Sequence, residues 1–250
     1  MSEDLLYHDP ALADFYDLEN GWGTDLEFCT KIARTARSVL DLGCGTGELA
    51  VALAPGRSVV AVDPARAMLE IGRAKSGGSA VEWIEGDARS LSLDRRFDLV
   101  LLTGHAFQVF LTDEDQRAVF TTIARHLGPG GRFIFDTRNP SAEEWLEWVP
   151  HLSRRELDHP RHGKVAAWND MSHDAAAGVV TYETHYEVKA SGKRLSATSQ
   201  IRFTPRERLE PMLADAGLGD AQWYGDWRGS PWAPSSPEII PLGRALKGGG

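Results

Sequence analysis

The stretch Ser38-Val39-Leu40-Asp41-Leu42-Gly43-Cys44-Gly45-Thr46-Gly47 closes an apolar run with three alternate glycines, and Asp63 follows sixteen residues after the last of them. Those residue types at that spacing suit the binding of a nucleotide. Glycines at the exit of a buried strand let backbone approach a ligand that any Cβ would hold off. An acid at the tip of the next strand can accept two hydrogen bonds from a ribose diol.

Holding these groups requires alternating strands and helices. Residues 39–42 and 58–62 read as short buried strands with a helix over 48–54 between them, and Pro64 opens the next helix. Further strands are expected over 81–85, 97–102 and 132–135, with a helix over 113–126 that Thr112 caps and Asp115 supports from three places on. Residues 12–16 and 24–36 read as helices that cover the pocket, the second by Leu26, Phe28, Ile32 and Ala33. Strands alternating with helices imply a parallel sheet with ligands at the strands' carboxyl ends. After Asp136 the period becomes two: Val180, Tyr182, Thr184, Tyr186 and Val188 alternate with Thr181, Glu183, His185 and Glu187, and Leu195 to Phe203 do likewise. Antiparallel strands follow, the first over 164–170, with turns at Ala177-Gly178 and Ser191-Gly192. Thr204-Pro205 then caps a helix to Ala216, and strands over 221–224 and 238–242 end the pattern before the Gly248-Gly249-Gly250 tail.

Two ligand classes use such a glycine loop. The dinucleotide fingerprint G-x-G-x-x-G needs a final glycine or alanine, and counting from Gly43 that place holds Glu48, a carboxylate facing any pyrophosphate on this helix terminus. The pattern D-x-G-x-G-x-G from Asp41, the acid Asp63, Gly86-Asp87-Ala88 after the third strand and Leu127-Gly128-Pro129-Gly130-Gly131 before the fifth together resemble the class I S-adenosylmethionine-dependent methyltransferases. The four motifs cover residues 39–135 and say less about the remainder. The resemblance implies an α/β, Rossmann-like fold: a seven-stranded, mostly parallel sheet with helices on both faces, its last strand antiparallel, and here an antiparallel β lid inserted after the fifth strand. The cofactor-binding core would comprise residues 1–140 and 204–250, and the lid residues 141–203.

The cofactor implied is S-adenosylmethionine, the product S-adenosylhomocysteine, and the acceptor an oxygen or nitrogen of a small organic molecule. Gly43, Cys44, Gly45 and Gly47 would line the methionine and ribose portions, with Asp63 on the ribose hydroxyls and Pro64 and Met68 nearby. By the family pattern Asp87 accepts from the adenine amine, with Gly86 and the Ala88 backbone beside it, and Thr103 and Gly104 meet the methionine. Asp41 either orients the glycine loop or reaches the amino group through water. Tyr7, Tyr16 and Trp22 are candidates to close over the cofactor, with hydrophobic packing an equal reading. A sulfonium methyl is already activated, so the chemistry asks for alignment, exclusion of water and, where the nucleophile carries a proton, a base. His105 is the candidate base because imidazole titrates in the right range, and pocket lining is its alternative role. Phe107, Gln108, Arg138, Trp168 and Tyr182, with Trp227, Arg228 and Trp232 from the loop 225–237, are the candidate acceptor contacts.

At 250 residues the chain can form one large α/β domain or a domain with an insertion. A net charge of -9 disfavours nucleic acid and anionic membrane partners. Two cysteines, one of them in the glycine loop, do not make a disulfide framework, and neither a signal sequence at Met1-Ser2-Glu3-Asp4 nor a membrane-length apolar run is present, so a cytoplasmic location is expected. The alternative role of the inserted strands is pairing with a second copy, so a monomer or a homodimer is expected. His151, His159, His162, His173 and His185 fall in the insertion without a cysteine cluster or an H-E-x-x-H helix, and read as solvated loop histidines with no metal. Two rival functions stand beside methyl transfer: an NAD(P)-dependent Rossmann reductase, opposed by Glu48 and the Asp87-Ala88 pair, and a non-catalytic S-adenosylmethionine-binding sensor.

Overall fold

The computed structural model describes residues 4–246; Met1, Ser2, Glu3 and the Gly248-Gly249-Gly250 tail lie outside the described residues. Three short helices open the chain, α1 (Leu5–His8), α2 (Pro10–Ala13) and α3 (Tyr16–Glu19), followed by α4 (Thr24–Ile32). The alternating part runs β1 (Ser38–Leu42), α5 (Glu48–Leu53), β2 (Ser58–Asp63), α6 (Arg66–Ala74), β3 (Glu82–Glu85), β4 (Phe97–Leu102), α7 (Asp113–His126) and β5 (Leu127–Phe135). A two-residue strand β6 (Thr137–Arg138) and α8 (Pro150–Ser153) lead into β7 (Arg155–His159), β8 (Gly163–Asp174), β9 (Val179–Val188) and β10 (Arg194–Arg202). The chain then returns through α9 (Arg206–Asp215), β11 (Leu218–Tyr224) and β12 (Glu238–Ala245).

The main sheet has the order β11-β12-β5-β4-β1-β2-β3. Neighbours among β1 to β5 pair parallel, whereas β12 lies antiparallel between β5 and β11. Both faces are covered, which is why its strands read as nearly continuous apolar runs. Leu40, Leu42, Val60, Val62, Val100, Leu102, Phe133 and Phe135 face α7 and α9 on one side; Val39, Val59, Ala61, Leu99, Leu101 and Ile134 face α4 and α5 on the other. β7 to β10 form a second, wholly antiparallel sheet in the order β10-β9-β8-β7. The fold is therefore the expected mostly parallel sheet with an antiparallel sheet after its fifth strand.

Local details depart from the sequence reading where side chains find partners far away in sequence. Thr112 caps α7 as expected, accepting from Asp115 N at 3.0 Å and donating to Asp115 Oδ2 at 2.9 Å. Thr204 does not cap α9: it is buried, and its hydroxyl accepts from Gln116 Nε2 at 2.8 Å. Pro64 does not open α6, because Asp63 Oδ1 takes the Ala65 N–H at 2.8 Å and delays the helix to Arg66. Residues 12–16 are not one helix but the end of α2, a turn and the start of α3. β7 was missed because Arg155-Glu156-Leu157-Asp158-His159 is an edge strand dressed with charges, which hides the alternation.

Candidate active site

The glycine loop joins β1 to α5 with Gly43, Gly45 and Gly47 all at positive φ, 61°, 53° and 68°. Two backbone groups pin it, Cys44 N to Val62 O at 3.1 Å and Gly45 N to Asp63 Oδ2 at 2.9 Å. Asp63 thus holds one N–H on each carboxylate oxygen and keeps a free lone pair on each for a ligand diol. Burial raises its proton affinity, against the lowering effect of the Ala65 and Gly45 hydrogen bonds. Asp41, buried beneath the loop, is pushed up to about 7 by desolvation and then by the charge of Asp63. Burial also raises the Cys44 thiol. At Gly43 a Cβ would stand 2.8 Å from Ala106 Cβ, and at Gly47 it would stand 2.5 Å from Cζ3 of Trp83. Its bare face packs on an indole.

The segment α1 to α3 straps over this loop. Tyr16 lies on Gly45, its hydroxyl 3.2 Å from where a Cβ would be. Asp17 accepts from Thr46 Oγ1 at 2.5 Å, and Lys75 gathers Asp17 at 2.8 Å and Glu48 at 2.6 Å. Glu48 is therefore the partner of a lysine at the helix terminus that a pyrophosphate would otherwise use. Met68 is fully buried against Ala13, and Pro64 is exposed. Trp22 is 47% exposed. Where Asp87 was expected to meet adenine, Arg89 forks onto it through Nε at 3.0 Å and Nη2 at 2.5 Å and also reaches Asp115 at 2.8 Å. That guanidinium hydrogen bond holds the Asp87 carboxyl below its ordinary range. Ala88 is buried beside it, after the half-exposed Gly86.

The strap's other side meets the antiparallel sheet. Tyr7 OH lies 3.4 Å from Tyr182 OH, Phe15 stacks on Tyr186 with centroids 4.1 Å apart, and Glu19 takes Arg155 bidentately at 2.7 and 2.6 Å. Contrary to the solvated reading, His159 is buried against Phe15. Its Nδ1 accepts from Arg161 N and His162 N at 3.1 and 3.3 Å, and its Nε2 stands 2.9 Å from Asp14 Oδ2. A metal on Nε2 would need the proton on Nδ1. Asp14 and His159 therefore meet as a close pair against Phe15, with His159 fixed by the backbone of the turn that carries His162.

At the carboxyl ends of β4 and β5 the chain brings together groups the sequence reading had not joined. Thr103 is buried, Gly104 is open, and His105 adopts a left-handed φ of 61° that is rare for a side chain of this size. His105 N donates to Asp136 Oδ2 at 3.0 Å, and its Nε2 lies 2.9 Å from Glu238 Oε1 and 3.3 Å from Asp136 Oδ2. Desolvation, then the neighbouring Arg138 charge, lowers the imidazole to about 4, so it is neutral at physiological pH. Burial raises both carboxyls. Asp136 and Glu238 escaped the sequence reading; their only local signal is an acid at a strand tip.

The remaining candidates scatter. Phe107 is fully buried in a stack with Phe120 and Phe135 and belongs to the core. Gln108 is also buried, bridging Arg202 O and Arg138. Arg138 sits beside His105 and is held by Gln108 at 2.8 Å, Glu144 at 2.9 Å and the face of Trp148. Trp168 pairs in register with His185 while Met171 pairs with Tyr182, so Trp168 and Tyr182 occupy opposite faces of the sheet and cannot share one wall. Trp227 packs on Phe28, Arg228 is exposed, and Trp232 carries Arg206 on its ring.

This sheet order, with a glycine loop after β1 and an acid after β2, defines a Rossmann-like methyltransferase. Residues 39–131 match the profile of a methyltransferase domain. The chain is 37% identical over 246 residues to the cypemycin N-terminal methyltransferase of Streptomyces sp, covering 96% of this chain and 98% of that one. Its fold matches a S-adenosylmethionine-dependent methyltransferase from Clostridium acetobutylicum ATCC 824 with a TM-score of 0.77 at 20% identity, over 95% of this chain and 98% of that one. It also matches the sugar N-methyltransferase KedS8 from Streptoalloteichus sp ATCC 53650 with a TM-score of 0.75 at 20% identity, over 92% and 91%. The chain belongs to the class I S-adenosylmethionine-dependent methyltransferases, and S-adenosylmethionine is its methyl donor. The reductase alternative falls with this finding. Among the described residues no helix is long and apolar enough to cross a membrane.

Proposed function

We propose that the protein methylates the nitrogen of an amine carried by a small-molecule or peptide acceptor, held between the carboxyl edge of the main sheet and the antiparallel sheet within residues 141–203. The observation that carries this reading is the acidic edge itself: Asp136 and Glu238 meet beside His105, each with one buried oxygen, Oδ1 and Oε2, that has no hydrogen-bond partner. Buried carboxyl oxygens without donors favour an acceptor that brings N–H groups and positive charge. The names of the relatives point the same way, one an N-terminal methyltransferase and one a sugar N-methyltransferase.

S-adenosylmethionine supplies an activated sulfonium methyl, so the residues here have to hold, align and dehydrate. Asp63 would hold the ribose hydroxyls, the backbone of Gly43 and Gly45 the methionine portion, and the Asp87-Ala88 segment the adenine. Tyr16 and Tyr7, straddling the glycine loop and Tyr182, would exclude water from the nitrogen's approach. The test incubates the protein with S-adenosylmethionine and matched pairs of acceptors, a free-amine dipeptide amide and an amino sugar against their hydroxyl counterparts, and reads S-adenosylhomocysteine and the site of methylation by fragmentation mass spectrometry. Methylation of amines is expected; methylation of the alcohols alone would overturn the reading.

A further inference from the structure

We propose that Glu238 is the group that accepts the proton of the incoming acceptor ammonium, with His105 and Asp136 acting as positioning residues; this rests on the N-methylation reading. The argument begins with topology. β12 runs antiparallel between β5 and β11, so its first residue, and not its last, arrives at the edge where the parallel strands end. Glu238 pairs in register with Arg138 just beyond β5 and lands next to Asp136. The loop that precedes it is tied down, with Asn139 Nδ2 donating to Pro234 O at 2.9 Å and to Ser236 O at 2.7 Å, so the carboxylate is delivered by a fixed backbone.

Geometry then separates the three members of the cluster. Asp136 is fully buried and its Oδ2 is occupied by the His105 N–H at 3.0 Å. His105 Nε2 faces a carboxyl oxygen on either side, at 2.9 and 3.3 Å, and with its proton on Nε2 the ring directs no lone pair to the cluster. Glu238 has one oxygen on that imidazole and its Oε2 buried without a partner, on a side chain that is 13% exposed as a whole. An ammonium brings three N–H donors, and Glu238 Oε2 and Asp136 Oδ1 are the acceptors of this cluster without a partner.

The charged groups facing Glu238 are His105 after β4, Asp136 after β5, Arg138 on β6, Glu144 in the turn that follows and Asp25 on α4. Arg138 lowers the carboxyl's proton affinity; burial outweighs it, and Glu144 and Asp25 add to the rise toward neutrality. A proton acceptor works best when its affinity lies near the working pH. The neutral His105, lowered to about 4, is the weaker acceptor.

In the step, one N–H bond of the acceptor ammonium breaks and its proton passes to Glu238 Oε2, leaving the electron pair on nitrogen. That pair forms the bond to the methyl carbon while the carbon–sulfur bond breaks toward sulfur. The amine leaves as a methylated ammonium, and Glu238 returns its proton to water after product release.

The experiment compares wild type, Glu238→Gln and Glu238→Asp on two probes, alanylalanine amide, an ammonium at neutral pH, and O-benzylhydroxylamine, already neutral there. On the dipeptide Glu238→Gln should lose roughly 10²- to 10⁴-fold in kcat, partly regained as pH rises and the ammonium gives up its proton in solution, with Glu238→Asp intermediate. On O-benzylhydroxylamine the loss should stay below about fivefold, since no proton has to be taken before attack. Binding of S-adenosylhomocysteine should not change, and methylammonium chloride should raise the Tm of that complex for wild type and not for Glu238→Gln. Equal losses on the two probes, an unaltered pH profile, or stabilisation by magnesium or manganese chloride in place of methylammonium would overturn the proposal. Methylation of hydroxyl acceptors alone would remove the N-methylation reading, whereas dipeptide methylation untouched by Glu238→Gln would remove Glu238 and leave that reading standing.

Discussion

The Gly47→Ala substitution tests whether the third glycine of the loop is there for the ligand or for packing. Gly47 caps α5 at a φ of 68°, where an L residue pays left-handed strain of ~1–2 kcal/mol. Its new Cβ would lie 2.5 Å from Trp83 Cζ3, and the indole has little room to withdraw. The ring is also seated on Gly72, where a Cβ would be 2.5 Å from Cη2, and its Nε1 is held by Gly78 O at 2.8 Å. Forcing a methyl into such a site costs a further ~1–3 kcal/mol, so a total of ~2–5 kcal/mol is expected. Urea unfolding of the ligand-free protein measures it as a lower midpoint at unchanged slope. Replacing the indole in the same chain, as Gly47→Ala with Trp83→Leu, should return the packing share, a coupling of ~1 kcal/mol or more, and leave the backbone strain. A loss below ~1 kcal/mol for Gly47→Ala, or strictly additive single and double variants, would refute the packing argument.

Asp63→Ala should weaken S-adenosylhomocysteine binding by ~1.5–3 kcal/mol in calorimetry and, because it strands the Gly45 and Ala65 N–H groups, destabilise the ligand-free protein by ~1–3 kcal/mol for each donor left bare. Unchanged affinity in the folded variant would remove Asp63 from the ribose. Asp41 is raised from 3.8 to about 7, so the folded state binds its proton more tightly than the unfolded chain, and the stability it contributes is complete below the lower value and lost as pH rises through the upper one. Asp41→Asn should therefore flatten the decline in ligand-free stability over that window and be more stable than wild type at about pH 8, by at most ~4 kcal/mol. Parallel pH curves for the two proteins would refute it.

The glycine loop, Asp63 and the five parallel strands were legible in the sequence because their causes are local. The positive φ at Gly43 and Gly45 favours glycine for a reason internal to each residue, and strands covered on both faces must be apolar along most of their length. The period of two in residues 180–203 likewise announced antiparallel strands. Alternation, however, does not say which face turns inward. Only the register of β8 on β9 put Tyr182 with Met171 facing the strap and Trp168 with His185 on the reverse. The burial of His159 depended on Phe15 and Asp14, which are far from it in sequence. The same holds for the edge of the site. Glu238 reaches His105 across 133 residues because β12 is inserted antiparallel between β5 and β11, a placement set by which apolar faces can be covered together. Local residue preferences carry no trace of that choice, since a glutamate at a strand's start reads alike whether it meets water or a buried imidazole.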